Sequence, residues 1–321
     1  MKTLRIVSLL AFLILLFAGC SINQLAVNVL ADTLAGGGGD GANVFTTDND
    51  PELVGDALPF ALKLYEQVLA EAPDHEPLLL ATGSGFVSYA NAFVATPASM
   101  LPFEEYERQE AMQARAKKLY LRGRGYILRG LDARYPGFEE ALFADDETLV
   151  LPYLEEMTAE DVPYLYWLSA SWVAAFSLDA FDLELAFSVP RVLPIVERTL
   201  ELDADYNDGA LHSFLIQFYA GLPAHLGGDL EKAEYHYRRA VEIGEGRLAG
   251  PYMAYAEAIV IPEQNVELFR ELMETILEID PDEYPPARLL NVLTQEKARW
   301  YLENIEDFFL LDLPEGEGDE L

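Results

Sequence analysis

The chain has 321 residues, 21 Lys+Arg against 55 Asp+Glu, a formal charge of −34 and one cysteine. That balance excludes nucleic acid as a partner, because neutralising a phosphate backbone takes clustered Lys and Arg. A single cysteine excludes an intramolecular disulfide framework and a cysteine-based zinc site, while 51% hydrophobic residues supply enough apolar surface for a core despite the charge.

Met1 to Cys20 begins with Lys2 and Arg5 and continues as an uncharged apolar run over 6–18, the pattern of a secretion signal rather than part of a fold. The run is too short for the ~20 residues of a comfortable membrane span. Phe17-Ala18-Gly19-Cys20 resembles the bacterial lipobox, with Phe17 where that motif usually has Leu. The resemblance implies removal of residues 1–19 and lipid attachment at Cys20. Ser21, rather than Asp, follows the cysteine, which by the same resemblance favours the inner leaflet of a Gram-negative outer membrane.

Residues 20–50 are expected to form the lipid-bearing N-terminus and a tether. Apolar spacing over 21–34 permits a short helix, and Gly36-Gly37-Gly38-Gly39 breaks it. Asp50-Pro51 then reads as an N-cap followed by proline at the first helical position, with Leu58, Ala61, Leu62, Tyr65, Val68 and Leu69 at helical spacing. From 51 to 310 the chain shows long helical patterns closed by Pro or Gly and no sustained period-two alternation, which predicts an all-α domain. The acidic, glycine-broken stretch 311–321 is expected to be a disordered tail.

A tetratricopeptide unit repeats about every 34 residues, and its second helix carries small, large, small and proline positions at fixed offsets. Ala61, Tyr65, Val68 and Pro73 fit, as do Phe269, Met273, Ile276 and Pro281. Ala233, Tyr237, Ala240 and Glu245 follow more loosely, then Arg124, Leu128, Leu131 and Pro136, and Val192, Val196, Thr199 and Ala204. These predict degenerate repeats with insertions, in a solenoid or compact helical array.

Catalytic, cofactor and metal signals are weak. Thr82-Gly83-Ser84-Gly85 has the letters of a nucleophile turn, but it lies in a helical run rather than at a strand-to-helix junction. The four histidines, His75, His212, His225 and His236, have no HExxH spacing, and His212 in Ala210-Leu211-His212-Ser213-Phe214 is expected to be a hydrogen-bonded core residue. No catalytic residue, metal ligand or cofactor is therefore assigned.

Pro77 to Phe103 contains 27 residues without one Asp, Glu, Lys or Arg. Ser84, Ser88 and Asn91 fall on one strip of this helix, with Tyr89 beside them, and Gly83 and Gly85 allow a neighbouring helix to come close. The strip can be the wall of a pocket or pore, or a plain packing face; two prolines and several hydroxyls argue against a membrane span. Val162 to Leu178 is likewise uncharged and holds Trp167 and Trp172, which are either core or ligand-facing. Between these runs Arg108, Arg115, Arg122 and Arg129, spaced by seven, make one stripe on a helix. The stripe is either a solvated face paired with the protein's own acids or a surface for an anion or a partner.

The order of segments resembles a family. DALPFALKLYE (56–66), LLLATGSGFVSYANAFV (78–94), LYLRGRGYILRGL (119–131), DGALHSFLIQFYAGLP (208–223), GGDLEKAEYHYRRA (227–240) and ELFRELMETILEIDPD (267–282) are similar to the tetratricopeptide lipoproteins associated with tripartite ATP-independent periplasmic (TRAP) transporters, the T component or TatT type. The resemblance implies a non-enzymatic periplasmic lipoprotein, a homotrimer, anchored by lipid alone and docking the substrate-binding P component, with a pore or cleft for a small hydrophobic or organic-acid ligand. The competing reading is a tetratricopeptide scaffold for envelope protein assembly.

Overall fold

The computed structural model describes residues 27–36 and 44–310; the signal segment, Cys20, part of the glycine run and the acidic tail lie outside the described residues. Among the described residues every regular element is helical.

Helix α1 (Pro51–Glu71) starts where Asp50 accepts a hydrogen bond from the Leu53 amide at 3.0 Å, with Pro51 in the first turn, whose N–H would have no helical partner. Helix α2 (Glu76–Ala90) is capped by His75, whose Nδ1 accepts from the Leu78 amide at 3.2 Å. The other ring nitrogen of His75 meets Asp32 at 3.0 Å, so one side chain both caps α2 and fastens the short helix at 27–34. That helix falls within the stretch expected to be tether. Ala31 is fully buried beside Val68, Leu69, Leu78 and Leu79, so the helix covers apolar surface that α1 and α2 would otherwise expose.

The remaining order is α3 (Tyr106–Arg134), α4 (Phe138–Phe143), α5 (Leu151–Glu156), α6 (Val162–Leu178), α7 (Leu183–Ser188), α8 (Val192–Leu202), α9 (Tyr206–Gly221), α10 (Leu230–Ile243), α11 (Ala249–Tyr255), α12 (Val266–Glu278) and α13 (Arg288–Glu303). Successive long helices pack on one another: α1 on α2, α2 on α3, α3 on α6, α6 on α8, α9 on α10, α11 on α12 and α12 on α13. The short helices α4, α5 and α7 are inserted between members of this series. The offsets that suggested repeats fall on α1, α3, α8, α10 and α12. Val192, Val196, Thr199, Ala233, Ala240, Phe269, Met273 and Ile276 among them are buried.

Two main cores result. The larger joins α2, α3, α6, α8 and α9 around Phe138, Leu165, Trp172 and Phe218; the smaller joins α11 to α13 around Phe269, Met273 and Tyr301. The two ends of the domain meet, because Leu289 N–H donates to the Thr46 carbonyl at 3.0 Å and Arg288 Nη1 to the Thr47 carbonyl at 2.9 Å. Helix α13 thereby touches α1.

Two cavities and an arginine stripe

The uncharged run forms α2, and its glycines set its neighbours. A Cβ on Gly83 would stand 2.9 Å from the Gly123 carbonyl oxygen of α3, and one on Gly123 would stand 2.7 Å from the Gly83 oxygen. A Cβ on Gly85 would come within 2.8 Å of Leu62 of α1. Helices α1 and α3 thus take two flanks of α2 and leave the polar strip on a third. The segment Glu76–Ser99 is long and apolar enough to cross a membrane, yet it is packed among α1, α3 and α6 as a core helix.

Along that third flank Ser84 is half-buried, with its hydroxyl 3.3 Å from the Ala81 carbonyl, while Ser88 and Asn91 are exposed. Tyr89 is half-buried; its hydroxyl accepts from Arg115 at 3.3 Å and its ring lies 5.9 Å from Phe93. At Asn91–Ala95 the helix opens into a π turn. Pro97, one turn on, lacks an N–H and would crowd the Phe93 carbonyl in a regular helix, so a wider turn relieves both problems. A cavity of about 230 Å³ lies here, bounded by Ala92, Thr96, Pro97 and Met100 on one side and by Leu293, Glu296 and Lys297 of α13 on the other. A second π turn, Ala256–Val260, supplies Glu257, which holds Lys297 at 2.5 Å and accepts from the Tyr301 hydroxyl at 2.6 Å. The expected strip therefore leads toward this cavity without lining it.

Helix α6 divides its two tryptophans. Trp172 is fully buried, donates from Nε1 to the Ser188 hydroxyl at 2.9 Å and lies 4.8 Å beneath the Arg124 guanidinium. It is a core residue rather than a ligand-facing one, because its single polar atom and its ring faces are all satisfied inside the protein. Trp167 is half-buried against Tyr166 at 5.1 Å, and Tyr166 in turn meets Tyr206 at 5.4 Å and Phe214 at 6.3 Å.

The arginine stripe is exposed along α3, and each member has a partner in the chain. Arg108 pairs with Glu105 at 2.6 Å, Arg122 pairs with Glu66 and covers the Phe86 ring at 4.8 Å, and Arg129 donates to the Pro73 carbonyl at 2.7 Å. Among the described residues Arg115 has only the Tyr89 hydroxyl and ring. Three of the four guanidiniums are thus used to hold local structure or to strap α3 to α1 and the α1–α2 turn.

A second cavity, about 380 Å³, has no counterpart among the candidate sites read from the sequence. It is lined by Leu200 on α8 and Ala204 just after it, by His212 and Tyr219 on α9, and by Lys232, Tyr235, His236 and Arg239 on α10. The backbone entering α9 is unusual: Asn207, Asp208 and Gly209 are all left-handed, with φ of 49°, 55° and 84°. Asn and Asp tolerate this region better than most residues, and glycine adopts it freely. Tyr284 steadies the turn by donating to Asp208 at 2.6 Å.

His212, expected in the core and hydrogen-bonded, is 2% exposed, and its Nδ1 lies 2.6 Å from Nδ1 of His236, itself 5% exposed. Burial first, then His212 and Lys232, push His236 down to about 4. Burial first, then Arg239, lower His212, with Asp205 opposing. Both rings are neutral at pH 7, one donating to the other. In the sequence this pair is only two histidines 24 residues apart on successive helices, without the short spacing that marks a ligand pair.

The profile of the TRAP transporter T-component family matches residues 47–309. A protein of Treponema pallidum (strain Nichols), itself uncharacterised, is 38% identical over 306 residues, 92% of this chain and 95% of that one. The match spans every helix from α1 to α13, including the left-handed turn and the histidine pair, and the chain belongs to the TRAP transporter T-component family.

Proposed function

We propose that this chain is a periplasmic lipoprotein adaptor of a TRAP-type solute transporter, which docks the substrate-binding P component and binds or passes a small hydrophobic or organic-acid ligand. The observation that carries the reading is the family match across 47–309, which associates the chain with TRAP transport. Membership in an accessory transporter family also fits a non-enzymatic role. The helix pairs, with buried residues at the repeat offsets of α8, α10 and α12, support degenerate tetratricopeptide-like repeats as the docking scaffold. Lipid attachment at Cys20, an outer-membrane location and a homotrimer complete the proposal.

The test is affinity purification of the full lipidated protein from its own cells. Recovery of a TRAP substrate-binding protein at stoichiometric levels is the expected result. Recovery of envelope assembly factors with no TRAP component would replace this reading with the scaffold one.

A further inference from the structure

The cavity between α8, α9 and α10 is chemically unlike the rest of this acidic chain. Among the described residues its charged lining side chains are Lys232 and Arg239, and no carboxylate lines it. Arg239 is bonded at the rim to Glu242 at 2.5 Å and to Asp205 at 3.4 Å. Lys232 has no carboxylate partner among the described residues, in a protein with 55 acids; its ammonium lies 5.0 Å from the centre of the Tyr219 ring. Tyr219 stacks on His236 at 5.4 Å and 6°.

The decisive atom is Nε2 of His212. It is buried and, among the described residues, has no hydrogen-bond partner. The short Nδ1 contact holds a single proton between two neutral rings, which occupies one nitrogen of each and leaves His212 Nε2 unmatched whichever ring donates. An unmatched buried polar atom costs about 1–3 kcal/mol, so a group that supplies its partner is favoured.

We propose that this cavity binds a small organic anion, its oxyanion group between His212 and Lys232 and its apolar body against Leu200, Ala204 and the Tyr219 ring. A metal ion is a poor occupant, since two cations line the cavity and the two Nδ1 atoms are too close to bridge one. An anion beside His212 favours its imidazolium, which donates from Nδ1–H to His236 and from Nε2–H to the ligand. Binding therefore takes up one proton from solvent.

The groups that set this balance are Arg239, Lys232, Tyr235 and His236 on α10, Tyr219 on α9 and Asp205 in the turn before it. Glu242 compensates Arg239, and Glu197 and Asp229 act on Tyr219. The inference deepens the ligand-handling part of the reading above but stands on the cavity. Its failure leaves P-component recovery unaffected, and failure of that recovery leaves the cavity's chemistry unaffected.

The experiment is isothermal titration of the full lipidated protein in detergent with benzoate, inorganic phosphate and benzylamine at pH 6.5 and 7.5, in buffers of differing ionisation enthalpy. Benzoate is expected to bind about tenfold tighter at pH 6.5, with uptake of one proton. Lys232→Met, at an exposed position, should weaken binding about tenfold without changing the circular dichroism spectrum, and His212→Phe should abolish it. Binding of benzylamine in preference, or of phosphate alone, overturns the assignment. So does benzoate binding that neither pH nor the Lys232 variant alters, or no binding at all, which would mean that the cavity holds only water.

Discussion

At the scale of single residues, the contact between Gly83 and Gly123 decides how closely α2 and α3 cross. The carbonyl of each stands where the other's side chain would begin, so no flexible group can move aside. Gly123→Val should destabilise the domain by about 1–3 kcal/mol or more through overpacking, lowering the thermal midpoint by several degrees. An unchanged melt would show that the helices can separate at no cost. The histidine pair makes a claim of opposite kind. The folded-state value of His236, about 4, lies below the ordinary histidine value of 6.5, so the unfolded chain binds more protons between these limits. Stability is then fully present above pH ~6.5 and is lost as pH falls toward 4. Melts at pH 5 should be a few degrees lower than at pH 7.5, and the difference should shrink in the His212→Phe, His236→Phe double variant.

At the scale of elements, a buried charge network joins three helices. Asp161, fully buried just ahead of α6, accepts from Arg134 Nε at 2.8 Å, from the Tyr135 hydroxyl at 2.8 Å and from the Thr158 amide at 2.9 Å. Arg134 also reaches Glu76 at the start of α2 at 2.9 Å. Burial alone would raise the Asp161 carboxyl, but these donors hold it below its usual range, so it stays charged. Removing the guanidinium strands that charge. Arg134→Ala should cost about 3–5 kcal/mol in urea unfolding, whereas Arg108→Ala, an exposed pair, should cost under about 1 kcal/mol. Equal effects would refute the distinction. The helix at 27–34 works at the same scale, where Asp32 and Ala31 fasten it to a capping histidine and an apolar patch.

At the scale of the whole molecule, the bonds from Arg288 and Leu289 to Thr47 and Thr46 bring the last long helix to the beginning of the first. The 230 Å³ cavity lies where the end of α2 faces α13. Cys20→Ala tests how this body is held in the cell. The variant should move from the membrane fraction to the soluble periplasm and lose metabolic lipid labelling. Persistence of either would refute the lipoprotein assignment.

Much of this architecture follows from sequence patterns that encode local physics. Asp50-Pro51 marks the start of α1 because capping and proline geometry act within one turn, and helical spacing from 51 onward requires an all-α domain because apolar stripes must face one another. The fate of the uncharged residues was not legible in the same way. Ser88 and Asn91 are exposed while Trp172 is enclosed, although both runs lack charge, since only the crossing of α1 and α3 over α2 determines which flank is left open. The arginine spacing was visible, but whether Arg122 is free or paired depends on Glu66 arriving from another helix. The histidine cavity was hidden most completely. Its members come from three helices and the segment between two of them, and an unmatched nitrogen exists only once the chain has closed around it.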